Sequence, residues 1–483
     1  MTKKIYKKRE LKLCFLSYYR INHYLCKVNN IRNSNTMARK SLNRREFLKR
    51  AGIITGGAMA MFALDPISSF AKNSDNKASS NNMTYRTQNG TGERVSLLGF
   101  GMMRLPRDNQ ELVNQLVDYA IEHGVNYFDT APMYGRGLNE EIVGNALSRH
   151  PRDKYYIATK MSNYDEKYWE LEEAKKMYQN SFEKLRVDHI DYYLMHGVGQ
   201  GGMDAFEKRF INNGLLDFLV KERETGKIGH LGFSYHGDVR VFDWLIDHND
   251  TYHWDFVQIQ MNFLDWRHAS LEKGGWKTDA DAEYLYNKLA KAGIQVVVME
   301  PFRGGALSKM PEDCVAQLKA MRPDDSVARW AFRWVSSHPN ILTTLSGMNV
   351  MEHLIENVAT HSPLEPCTAA ENDLLEKIAD TMQGIPTVPC TACAYCMPCP
   401  YGVDIPGNFS FYNNALSNNQ LPHKGDSDYA TKQAKFVKDY FQAMPAEARA
   451  NQCMDCEECL KKCPQAIRIP NQLSRINDVL RGR

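Results

Sequence analysis

The 483 residues predict an α/β chain, a (β/α)8 TIM barrel followed by a small, mainly helical domain. Three observations predict it. Eight β-rich runs alternate with helix-length amphipathic stretches over about 280 residues. Polar residues suited to acid–base chemistry recur at the ends of successive runs, and eight of the twelve cysteines gather in two groups near the C-terminus.

Composition narrows the function classes. Hydrophobic residues make up 43% and charged residues 24%, the balance of a globular chain rather than a disordered or fibrous one. Lys+Arg 60 against Asp+Glu 57 gives a net charge of +3, but the basic excess lies in residues 1–71 and the remainder is net acidic. Nucleic-acid binding rests on neutralising phosphates, so an acidic body excludes that class.

The first 71 residues read as targeting sequence. Residues 1–36 form a doubtful N-terminal extension, and Met37 makes a more natural start. Residues 37–71 resemble a twin-arginine export signal: Arg44-Arg45 within Ser41–Lys49, an apolar stretch Ala51–Leu64, then Pro66 and a small-x-small site at Ser69-Phe70-Ala71. The apolar run is shorter than the roughly 20 residues that span a bilayer. The expectation is export by the twin-arginine machinery to a periplasmic or other extracytoplasmic location, with an uncleaved signal acting as a membrane tether as the alternative. Residues 72–82 are polar and form a linker.

The barrel is expected at 83–362. Thr84–Glu93, with Asn89-Gly90 and Thr91-Gly92, suggests a hairpin. The eight strands are expected at Leu97–Met102, Val125–Thr130, Tyr155–Lys160, Ile190–His196, Ile228–Phe233, Phe256–Asn262, Ile294–Glu300 and Ile341–Leu345, with helices such as Glu111–His123 and Leu171–Leu185 between them. A doubly wound open sheet is the rival architecture. A helical linker (363–385) and a cysteine-rich domain (386–475) follow.

In a barrel, chemistry belongs at the C-terminal ends of the strands. Asp129 ends the second strand and Tyr134 follows in its loop; Lys160 ends the third and His196 the fourth. A lone His or Lys there is usually a rim residue, but four on consecutive strands make a constellation. Asp129-Thr-Ala-Pro-Met-Tyr134-Gly135, Thr159-Lys160 and Leu194-Met-His196 resemble the Asp/Tyr/Lys/His tetrad of aldo-keto reductases. Gly229-His-Leu-Gly232-Phe-Ser234, Gln260-Met-Asn262, Glu300-Pro301 and Gly347 with Glu356-Asn357 extend the resemblance over about Arg94–Val358.

The resemblance implies carbonyl/alcohol interconversion with NADP or NAD. Tyr134 would donate the proton, Lys160 would lower its pKa, Asp129 would hold Lys160, and His196 would bind the substrate oxygen. Ser234, Gln260 and Asn262 would hold the nicotinamide, Glu356 and Asn357 match the positions near the adenine, and Gly347 belongs to the same cofactor-binding pattern. No Arg or Lys lies between Ser346 and Asn357 to pair with a 2′-phosphate, which leaves NADP against NAD open.

The cysteine groups are Cys390-x2-Cys393-x2-Cys396-x2-Cys399-Pro400 and Cys453-x2-Cys456-x2-Cys459-x3-Cys463-Pro464. The second has the spacing of bacterial ferredoxins, so two 4Fe-4S clusters are expected, with paired-CxxC zinc and disulfides as lesser alternatives. In two-cluster ferredoxins the Pro-linked cysteine crosses over. That groups Cys390, Cys393 and Cys396 with Cys463, and Cys453, Cys456 and Cys459 with Cys399. Thr431–Met444 looks helical, so the domain resembles a helical dicluster ferredoxin.

The leading expectation is an exported oxidoreductase with a nicotinamide site in the barrel, a small carbonyl or alcohol substrate, and a redox partner protein for the tail. The alternatives are an electron-carrier subunit whose barrel is a docking scaffold, and clusters that are structural staples. A nicotinamide moves two electrons as hydride and a cluster one, and no flavin signature joins them.

Overall fold

The computed structural model describes residues 82–269, 280–465 and 467–482. The export signal and almost all of the linker lie outside the described residues. Among the described residues no helix is long and apolar enough to cross a membrane.

A hairpin comes first, β1 (Tyr85–Thr87) against β2 (Arg94–Ser96), antiparallel with Thr87 opposite Arg94. Eight parallel strands then close into a barrel: β3 (Leu98–Gly101), β4 (Tyr127–Asp129), β5 (Tyr156–Met161), β6 (Ile190–Val198), β7 (Ile228–Tyr235), β8 (Phe256–Gln260), β9 (Gln295–Met299) and β10 (Ile341–Ser346). β10 pairs with both β9 and β3, which excludes the open sheet.

Alternation along the strands places the chemistry. Tyr127, Ala158, Tyr192, Leu194, Phe256, Val297 and Leu342 fill the barrel's interior as one buried cluster. Side chains two apart share a face. The same inward face therefore continues to Asp129 above Tyr127, Lys160 above Ala158, His196 above Leu194 and Gln258 above Phe256, all at the C-terminal end. The other end is plugged by the hairpin: Val95 joins the interior cluster, Glu93 pairs with His230 at 2.8 Å, and Gln295 Nε2 donates to Thr87 O at 2.9 Å.

The surrounding helices bury one stripe each. Gln110–Glu122 starts at Asn109, whose side chain accepts from Leu112 N (3.0 Å), and buries Val113, Leu116, Val117 and Ala120, the i, i+3, i+4, i+7 spacing of one helical face. Between helices Asn139–Leu147 and Leu171–Leu185 the backbones nearly touch, since a Cβ on Gly144 would come within 2.1 Å of Lys184 O.

Part of the expected linker is a helix packed on the barrel. Ala369–Gln383 opens with a capping box between Thr368 and Glu371 and buries Leu375, Ile378 and Ala379 in the main core. The fully buried Arg333 grips Glu371 at 3.0 and 3.1 Å and also donates to Glu365 O. Burial opposes ionisation of Glu371, but the Arg333 hydrogen bond prevails and holds its pKa at about 2.

The tail has its own core and three helices, Ile405–Ser417, Tyr429–Ala443 and Ile469–Leu480. A repeat builds it. Cys399-Pro-Tyr-Gly-Val-Asp-Ile-Pro406 and Cys463-Pro-Gln-Ala-Ile-Arg-Ile-Pro470 each run from a cysteine through two buried aliphatics into a helix with Pro in its first turn.

Candidate active site

Four strand-end groups converge at the barrel mouth. Lys160 Nζ donates to Asp129 Oδ1 at 2.6 Å and to Thr130 O at 2.8 Å, and Gln258 Nε2 donates to the other carboxylate oxygen at 3.2 Å. Burial pushes the Asp129 pKa up and the Lys160 pKa down, and each resists through its partner. Lys160 Nζ lies 4.8 Å from the centre of the Tyr134 ring, and the Tyr134 and His196 rings meet edge to face at 5.6 Å.

His196 is held by its back. Its Nδ1 shares a 2.6 Å hydrogen bond with Ser162 Oγ, and Tyr164 packs edge-on at 5.2 Å. Burial, reinforced by Lys160, His236 and Arg209, holds the His196 pKa well below the usual imidazole range, so the ring is neutral. A hydroxyl that donates to Nδ1 leaves the neutral ring's proton on Nε2.

Tyr134 differs from expectation in its resting state. Burial, with help from Asp129, pushes its pKa well above that of a free phenol, so Lys160 does not set the resting value. The phenol is therefore protonated at neutral pH, and Lys160 matters when negative charge develops on Tyr134.

The residues expected around the nicotinamide are engaged within the protein. Ser234 Oγ accepts from Gly197 N (2.9 Å). Gln260 Nε2 donates to Asp265 (2.7 Å) while its Oε1 accepts from Gln465 of the tail (3.0 Å). Asn262 donates to Asp265 and Glu300 O and accepts from the Leu264 and Asp265 amides. Gly347, Glu356 and Asn357 lie apart from the tetrad: Asn357 donates to Ser346 Oγ (2.9 Å), Ser326 to Glu356, and the Arg104 side chain passes over Gly347.

The tail supplies groups to the mouth. Tyr395, between Cys393 and Cys396, stands close enough to Tyr134 for the two phenols to influence each other's ionisation, and its hydroxyl donates to Met103 Sδ at 3.7 Å. Arg104, just past β3, donates to Thr391 O (2.7 Å) and Ala392 O (2.9 Å). The left-handed Gly304 lies under this loop, where a Cβ would come within 2.0 Å of Thr391 O. Glu300, at the end of β9, has an orphaned Oε2, and burial pushes its pKa up to about 7 against the pull of Arg104.

The cysteines fall into two neighbourhoods. Burial pushes the Cys396 thiol up, and Cys393, Cys463 and Cys390 reinforce it; Cys393, at about 11, also feels Cys463. Burial likewise lifts Cys459 to about 11, with Cys453, Cys456 and Cys399 behind it. Cys399, Cys453, Cys456 and Cys459 line one cavity together with Cys396. Among the described residues no three Cys, His or carboxylate side chains are close enough to hold a single ion.

Sequence reasoning missed Gln258, Ser162, Tyr164, Arg104, Gln465 and Tyr395. Alternation offered a signal for the first two: Gln258 shares the inward face with Gln260, and Ser162 with Lys160. The other four are brought in by loop and tail packing.

Comparisons with known proteins agree with this architecture. The model of the aldo/keto reductase family matches residues 97–380, and that of a 4Fe-4S dicluster domain matches residues 389–467. L-galactose dehydrogenase of Arabidopsis thaliana is 26% identical over 312 residues, covering 60% of this chain and 92% of its own. Protein tas of Escherichia coli (strain K12) is 28% identical over 346 residues, 61% of this chain and 98% of its own. The holo form of an aldo-keto reductase from Bacillus halodurans superposes with a TM-score of 0.49 at 25% identity, covering 61% of this chain and 96% of that one.

Proposed function

The chain belongs to the aldo/keto reductase family and carries a 4Fe-4S dicluster domain; from that premise we propose that it interconverts a small carbonyl compound and its alcohol at the Asp129–Tyr134–Lys160–His196 site, with one-electron transfer through two 4Fe-4S clusters in the tail. The observation that carries the reading is the buried convergence of these four groups on one barrel rim.

Their chemistry is acid–base. His196 Nε2–H orients the carbonyl oxygen. Tyr134 delivers its proton to that oxygen as reduction proceeds, and the Lys160 ammonium over its ring stabilises the phenolate that forms. Asp129, braced by Gln258, keeps Lys160 charged and aimed. Asp129, Lys160, His196 and Tyr134 are all buried, so their charges act at short range in a low dielectric.

Each cubane, when bound, takes up and returns one electron. Cys390, Cys393, Cys396 and Cys463 would hold one, and Cys453, Cys456, Cys459 and Cys399 the other. A nicotinamide dinucleotide fits less well. The groups expected to hold it are satisfied by Asp265, Gln465 and Gly197, and the tail covers Gly304. No step is routed through it.

The test is Tyr134→Phe. Carbonyl turnover should fall by about 10²–10⁴-fold while the cluster absorption is unchanged; retained turnover would remove the assignment. A wild type without carbonyl turnover leaves the second reading, an electron carrier whose barrel is a docking scaffold, which the seating of the 391–392 loop over Gly304 favours. Export by the twin-arginine route, towards a periplasmic or extracytoplasmic redox partner, is tested by replacing Arg44 and Arg45 with Lys and fractionating cells.

A further inference from the structure

The tail enters the barrel mouth at three points. Tyr395 donates to Met103 Sδ beside the tetrad; Arg104 fixes the Thr391–Ala392 backbone over Gly304; and Gln465, two residues after Cys463, completes the hydrogen bonding of Gln260. These contacts come from both cysteine groups. They use up polar atoms that a dinucleotide would need, and the backbone of the 391–392 loop fills the space above Gly304.

The two cysteine neighbourhoods also differ in depth. Cys390 and Cys393 lie half-buried against the barrel near Glu300 and Arg104. Cys456 is exposed, and its neighbour Met454 is 66% exposed. One neighbourhood faces Tyr395, and the other faces solvent.

We propose that the segment Thr391–Tyr395 is the resident occupant of the barrel's cofactor cleft, and that reducing equivalents enter singly at the Cys456 face from a one-electron carrier protein and reach the barrel at Tyr395. This rests on the carbonyl-reduction reading above. The stoichiometry follows. Two electrons, from two turnovers of the carrier, and two protons convert C=O to CH–OH. The carbonyl π bond breaks, Tyr134 supplies the proton of the new O–H bond, and water supplies the proton of the new C–H bond and reprotonates Tyr134. Tyr395 is a positioning residue that keeps the loop against Tyr134.

The experiment is anaerobic calorimetry of the full, cluster-loaded chain with NADPH and with NADH. The wild type is expected to show no binding tighter than about 1 mM, and Arg104→Ala, which loses both bonds that seat the loop, is expected to bind about tenfold or more tightly than that. Tyr395→Ala serves as the second variant if Arg104→Ala does not fold, with the same expected gain. Micromolar binding by the wild type overturns the proposal. So does identical behaviour of wild type and variant, because the loop would then not be what keeps nucleotide out. The turnover of Tyr134→Phe separates the two readings: its loss supports the carbonyl chemistry whatever the nucleotide titrations of wild type and Arg104→Ala show.

Discussion

Lys160 Nζ and Asp129 Oδ1 stand 2.6 Å apart with side chains 0% and 4% exposed, so the barrel mouth is organised around an ion pair that water scarcely reaches. A buried ammonium without its partner is costly. Asp129→Ala should therefore destabilise the protein by about 3–5 kcal/mol in urea unfolding. Asp129→Asn should cost less, because it keeps the shape, yet still lose most of the turnover. Equal stability of Asp129→Ala and wild type would contradict the pairing.

Helix Ala369–Gln383 depends on Arg333 and Glu371. Removing the carboxylate strands a fully buried guanidinium, so Glu371→Ala should lower stability by about 3–5 kcal/mol. The same change should loosen the helix that leads into the first cysteine group, seen as faster amide exchange over 369–383 while the barrel strands stay protected.

His230 links the barrel floor to pH. Burial alone would lower its pKa, but the carboxylates of Asp255, 3.7 Å from Nδ1, and Glu93, 2.8 Å from Nε2, raise it to about 9. The unfolded value is about 6.5. The stabilisation is therefore complete below that pH and is lost as pH rises through about 9. Urea midpoints between about pH 6 and pH 9.5 should fall for the wild type, and that dependence should flatten in His230→Gln.

The cysteine neighbourhoods predict a crossed ligand pattern. Cys390→Ser and Cys463→Ser should each remove the same cluster and leave the same residual paramagnetic spectrum. Cys399→Ser and Cys456→Ser should leave the other. Iron should fall from about eight to about four per chain in each case. If Cys399→Ser matches Cys390→Ser instead, each run binds its own cluster.

Much of this was legible in the sequence because strand periodicity and rim chemistry reinforce each other. All eight barrel strands lie where the β-rich runs predict, though β4 spans only Tyr127–Asp129 where Val125–Thr130 is expected, its ladder to β5 closing with the Thr130 N–H donating to Ala158 O. Asp129, Lys160 and His196 were readable as the last inward residues of their strands. Gln258 was passed over for Gln260, one layer further out on the same face. Tyr395 was hidden for another reason. The spacing of Cys393 and Cys396 explains its neighbours without it, and its contact with Tyr134 arises only when the tail docks. Ala369–Gln383 reads as a linker in one dimension because its partner, Arg333, lies in another helix.

In the proposed route electrons reach the barrel from the tail. Its most direct test is an anaerobic titration of the cluster-loaded protein followed by electron paramagnetic resonance. With NADPH or NADH the clusters should stay oxidised and silent. With a reduced one-electron carrier a reduced-cluster signal should appear, and it should decay when a carbonyl substrate is added, but not in Tyr134→Phe. A stoichiometric reduced-cluster signal with NADPH alone would contradict the account and return the cofactor cleft to a dinucleotide.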